Sequence, residues 1–73
     1  MDENQLKTLL LDENAEFRRL HQEHQRHEVR LTVLKDKPFL SDAERLEEKE
    51  LKKKKLALKD QMYGIMKDFR KPL

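Results

Sequence analysis

Cysteine and tryptophan are absent from this 73-residue chain, glycine occurs once and proline twice. Without cysteine there is no disulfide framework and no thiolate metal site. With so little glycine and proline, a helix has few places where it must stop. No apolar run approaches the roughly 18 residues that a membrane span needs. There is no glycine-rich phosphate loop and no nucleophile–base arrangement. Ser41 is needed as a helix cap, and Thr8 and Thr32 have no patterned partners. The chain is therefore expected to be no enzyme and to carry no cofactor. Its start, Met1-Asp2-Glu3-Asn4, is acidic and polar and does not read as a signal peptide. Together with the missing cysteine, this makes the cytoplasm the expected location.

What is present is charge and helical rhythm. Charged residues make up 44% of the chain and hydrophobic residues 36%. Abundant Leu, Lys, Glu and Arg with helical periodicity is the composition of long helices. The net charge is +2, and it is unevenly spread. Residues 1–34 hold five Lys/Arg and seven Asp/Glu, and residues 35–73 hold twelve and eight. In the second half the acids lead (Asp42, Glu44, Glu47, Glu48, Glu50) and the bases follow (Lys52 to Lys55, Lys59, Lys67, Arg70, Lys71). That order suits the macrodipole of a single helix.

Phe17, Leu20, His24, His27, Leu31 and Leu34 follow at alternating spacings of three and four. Leu51, Lys55, Leu58, Met62, Ile65 and Phe69 repeat the rhythm. Two such seams joined by a short break predict an all-α fold, an antiparallel two-helix hairpin of coiled-coil type. A short helical segment precedes it. Helix is expected over about 2–11, 15–35 and 42–70, with a turn at about 36–41. Asn14 is an N-cap candidate for the second segment. No proline or glycine enforces that break, so a continuous kinked helix is nearly as well supported. Lys37 precedes Pro38 and is pushed out of helical angles. Ser41-Asp42-Ala43-Glu44 is a capping box. Gly64 either lets another backbone approach or is merely tolerated, at about 1 kcal/mol relative to Ala. Pro72 marks the end.

Folding the chain about Pro38 pairs His24 with Lys55, Leu20 with Leu58, Phe17 with Met62 and Leu10 with Phe69. Apolar ends meet apolar ends, and the polar members meet near the middle. A lone two-helix hairpin is marginal. Val29 and Val33 lie off the seam on the second helix, and Leu46, Leu56 and Tyr63 lie off it on the third. They form a candidate oligomer face, so a homodimer building a four-helix bundle is expected. The alternative is a monomer whose first segment folds over the open end of the hairpin.

His21, His24 and His27 stand three apart, and two histidines so spaced can share a metal. The pattern lacks the Glu-x-x-His pairs of di-iron bundles, and Lys55 faces it, so no metal site is assigned. His24, Glu28 and Lys55 instead form a candidate polar cluster that fixes the hairpin's register. Lys55 is expected to lay its stem on the core and send its ammonium either to solvent, as a snorkelling surface lysine, or to a carboxylate, with Glu28 as the candidate. The run Lys52–Lys55 fans around a helix beside Glu47, Glu48 and Glu50, without aromatic interleaving. Nucleic-acid binding through the third helix is therefore the secondary expectation, after contact with a protein partner not identifiable from the sequence.

The block Leu51-Lys52-Lys53-Lys54-Lys55-Leu56-Ala57-Leu58-Lys59-Asp60-Gln61-Met62 resembles the core of the YdcH-like small bacterial proteins. Upstream, Phe17, Leu20, His24, Glu28 and Leu31 resemble that family's other block, so the likeness spans roughly residues 5–70. It implies a small cytoplasmic α-helical hairpin of uncharacterised function. Matched positions are Phe17, Leu20, His24, Leu31, Leu51, Lys55, Leu58, Lys59, Asp60 and Met62, and the resemblance assigns none of them a catalytic role. His27 replaces the family's Leu, Glu28 its Asp, and Ala15 a frequent Pro.

Overall fold

A computed structural model describes residues 2–70. They form three helices, α1 (Glu3–Glu13), α2 (Ala15–Lys35) and α3 (Asp42–Arg70), and among the described residues there is no strand. Pro72, the expected stop signal, and Lys71 lie outside the described residues.

Each helix start has a local cause. Asp2 and Gln5 form a reciprocal capping box on α1, with Gln5 N–H donating to Asp2 Oδ1 at 2.8 Å. At Asn14 the backbone is extended (φ −120°, ψ 108°), and its Oδ1 accepts from the Phe17 N–H at 2.8 Å. The chain is thus broken at Asn14 and not merely kinked. The expected box at α3 is formed: Glu44 N–H donates to Ser41 Oγ at 3.1 Å, and Ser41 N–H donates to Glu44 Oε1 at 3.0 Å.

α2 and α3 make the most extensive contact in the molecule. Lys37 pairs with Glu44, Arg30 with Glu47 and Glu28 with Lys55. Numbers fall along one helix as they rise along the other, so the two run antiparallel. α1 folds back against α2 and the far end of α3. The resulting body measures 51 × 19 × 16 Å. At that thickness every helix keeps a solvent face.

The apolar core is in two parts. Leu6, Leu10, Phe17, Leu20, Leu58, Met62 and Met66 form the larger cluster at the α1 end. Leu31, Leu34 and Leu51, with Leu40 packed on them, form the smaller cluster near the turn. Between the clusters lie the polar seam members His24, His27 and Lys55.

The seam expected for the last turns of α3 is corrected. Phe69 is 54% exposed and does not pair with Leu10, whereas Met66 is 2% exposed. The cause is the break at Asn14. α2 begins near the level of Met62, so the remainder of α3 has only α1 to pack on. α1 lies to one side, and the buried stripe rotates from Phe69 to Met66 to meet Leu6 and Leu10.

Gly64 faces open space: a Cβ there would meet nothing within 4 Å, and its φ is not positive. No backbone approaches it in the chain's own fold. Gly64→Ala is therefore expected to stabilise α3 by about 0.5–1 kcal/mol. A thermal melt reads this directly, as an upward shift of a few degrees. A downward shift that grows with protein concentration would instead reveal a second chain packed at that glycine.

Candidate functional site

The polar middle of the α2–α3 seam is where the expected site residues converge. Lys55 Nζ forms an ion pair with Glu28 across the two helices. The hydrogen bond from Lys55 is the main reason that the Glu28 carboxyl is held below its ordinary value. His24 lies beside both, part-buried. Burial first, then the Lys55 charge, pushes its pKa down, so the imidazole is neutral at pH 7. Lys59 and His21 push it the same way, and only Glu28 opposes them. His27 faces the opposite edge of the seam, beside Glu23, Lys54 and Leu58. The two seam histidines thus occupy different surroundings.

Arg30 and Glu47 form a second clasp that the seam pattern did not suggest. Arg30 Nε donates to Glu47 Oε2 at 2.8 Å, and its terminal nitrogen donates to Oε1 at 2.9 Å. This bidentate geometry is the strong form of the pair. At about 100° per residue, Arg30 and Glu28 lie on opposite edges of the face that α2 turns to α3. One clasp therefore sits on each edge of the seam. Both partners of the Arg30–Glu47 pair are off the apolar stripe, so only the register brings them together.

A third feature outside the sequence reading is the α1–α2 joint. Arg18 donates to the Leu11 carbonyl at 2.7 Å and to the Asp12 carbonyl at 2.8 Å. These are orphan carbonyls of the last turn of α1, which has no basic residue of its own.

At the turn, the Glu44 carboxyl is the most strongly perturbed group among the described residues. The Lys37 hydrogen bond, followed by that of the Ser41 backbone N–H, lowers its pKa from 4.5 to about 2. A depressed carboxyl stabilises the fold above its unfolded value and loses that effect as pH falls through the folded value. Between about pH 4.5 and pH 2 the turn is expected to loosen, and the Ser41 amide resonance should titrate with it. Loss of the Ser41–Glu44 box already at pH 5 would contradict this assignment.

The five residues of the candidate oligomer face are all exposed, from 44% at Val33 to 64% at Val29. They do not converge. Val29 and Val33 lie on the side of α2 turned away from Leu31 and Leu34, and Leu46 on the outer side of α3. Leu56 and Tyr63 flank α3 on the edge that also carries Lys59. The lysine run fans out as expected, and Lys52 and Lys55 are partnered by Glu48 and Glu28. Among the described residues no group of three or more His, Asp or Glu side chains is placed to hold a metal ion. No helix among them is long and apolar enough to cross a membrane.

These features define a small all-helical protein tied together by edge clasps around a divided core. Residues 17–66 match the model of a family described as protein of unknown function (DUF465), and the chain belongs to that family. It corresponds to the YdcH-like small proteins that the two sequence blocks resemble. The match runs from Phe17 at the start of α2 to Met66, leaving out α1. Neither the curated proteins nor the solved structures gave a match.

Proposed function

We propose that this chain is a non-catalytic interaction module, a helical hairpin that works by contact with another protein. The observation that carries this reading is Phe39, 88% exposed at the turn between α2 and α3. Its neighbour Leu40 is anchored on Leu31, Leu34 and Leu51, and the Lys37–Glu44–Ser41 clasp holds the turn from both sides. A large aromatic held outward on a braced turn stabilises nothing in its own fold. Aromatics in that setting are what carry binding energy at protein interfaces. The scattering of Val29, Val33, Leu46, Leu56 and Tyr63 around the hairpin gives less support to a homodimer built as a four-helix bundle. The exposed Phe39 supports a contact at one end instead.

The test uses the whole chain as bait in its native cell, alongside Phe39→Ala and Lys53→Gln. A partner retained by the parent and by Lys53→Gln but lost with Phe39→Ala supports the reading. The same set on all three baits would refute it. Light scattering over a range of concentrations reads self-association separately. Retention on nucleic acid that falls steeply with salt would replace the proposal by phosphate binding through α3. The carboxylates already on Lys52 and Lys55 weaken that outcome.

A further inference from the structure

Where α1 folds back, it leaves a cleft of about 190 Å³ between the three helices. Its floor is Met62 and Met66, both buried in the larger core cluster. Lys7 of α1 and Lys59 of α3 stand on its walls, with His21 and His24 of α2 and Tyr63. No acidic residue lines it. Lys7 forms an exposed ion pair with Glu3 at 3.5 Å. Lys59 has no carboxylate within ion-pair distance among the described residues. Glu28, the acid of α2 that borders His24, is held by Lys55. An apolar floor beneath one uncompensated cation, Lys59, with a second lysine only loosely paired beside it, is complementary to an anion that carries an apolar body.

Size narrows the class. An apolar cavity of about 150 Å³ takes up a benzene molecule. The cleft thus has room for one ring, with its charged group at the lysines. Methionines suit such a floor, because their unbranched, polarizable side chains adapt to irregular apolar shapes.

We propose that this cleft is a binding site for a small organic anion, a carboxylate or phosphate on an apolar body about one ring in size. Lys59 and Lys7 meet the charged group, His21 and Tyr63 supply further hydrogen-bond donors, and Met62 and Met66 receive the ring. The site is independent of Phe39, which lies at the other end of the hairpin, so either assignment can fail alone. His24, whose pKa is pushed down first by burial and then by Lys55, with Lys59 a smaller contributor, borders the same cleft.

Phenyl phosphate is the probe, titrated into the isotope-labelled full chain with amide resonances as the readout. Saturable shifts are expected at Lys7, His21, Lys59 and Tyr63. Inorganic phosphate and benzyl alcohol, each lacking one half of the probe, should bind at least about tenfold more weakly. Lys59→Gln should weaken phenyl phosphate about five- to tenfold, while Lys53→Gln, on another face of α3, leaves it unchanged. Both lysines are exposed, and circular dichroism verifies that the variants fold. The proposal is overturned if the shifts gather at Lys52–Lys55, if inorganic phosphate binds as well as phenyl phosphate, or if both variants lose affinity equally. Absence of saturation overturns it too.

Discussion

Phe17→Ala is expected to leave most of the chain unfolded at room temperature. Phe17 is fully buried at the first turn of α2, and its own N–H is the one that the Asn14 cap holds. Its ring belongs to the cluster that joins all three helices, with Leu6 and Leu10 from α1 and Leu58, Met62 and Met66 from α3. Truncating a buried Phe to Ala costs about 3–5 kcal/mol. A single core in a chain this small supplies about 3–5 kcal/mol in all. The loss therefore matches the reserve, and the body is too thin for neighbours to collapse into the void. Thermal and urea melts followed by circular dichroism measure it. A variant melting within about 5 °C of the parent, the shift expected for only about 1 kcal/mol, would show that the three helices do not share one cohesive cluster.

Leu10→Ala is expected to release α1 while leaving the turn end of the hairpin intact. Leu10 is as fully buried as Phe17, and its truncation costs about 2–5 kcal/mol. Here the cost falls on one element. Eleven residues cannot hold a helix by themselves in water, because helices shorter than about 12–15 residues are marginal. α1 is tied down by Leu6 and Leu10, by the partly buried Leu11 and by the Arg18 carbonyl contacts. Amide hydrogen exchange should show residues 3–13 losing protection first. Around Leu31, Leu34 and Leu51 protection should persist, because that cluster and the Arg30–Glu47 clasp do not involve α1. If protection fell equally along the chain, α1 would be part of a single cooperative unit. The cleft proposed above lies under α1, so phenyl phosphate binding should disappear in the same variant.

The apolar half of this architecture is legible as spacing. Phe17, Leu20, Leu31, Leu34, Leu51, Leu58 and Met62 recur at helical intervals, and all are buried. The caps are legible because a capping box needs only residues three apart, as at Ser41 and Glu44. The end of α3 was not legible. A heptad continues through Ile65 to Phe69 on the assumption that a partner continues beside it. The partner is α1, which approaches from one side, so burial passes to Met66. The α1–α2 joint was equally hidden: Arg18 reaches back to two carbonyls, and no side-chain pattern encodes a carbonyl acceptor. Of the polar cluster, the residues were visible as interruptions of an apolar seam, and Glu28 as the carboxylate within reach of Lys55. What spacing did not show is that His24 stands beside that pair with its own pKa pushed down.

By itself, the sequence determined that this protein is all helix, where apolar residues face inward on α2 and most of α3, and that its middle is polar. Local physics suffices for these, because caps, propensity and the helical repeat act over a few residues. Only the tertiary structure decided that Asn14 is a true break, that α1 folds back, and that Arg30 and Glu47 meet. It alone created the acid-free cleft of lysines and histidines over methionine. Those features depend on which residues from distant turns arrive together, and the antiparallel register, set by two small clusters and two edge clasps, governs that arrival.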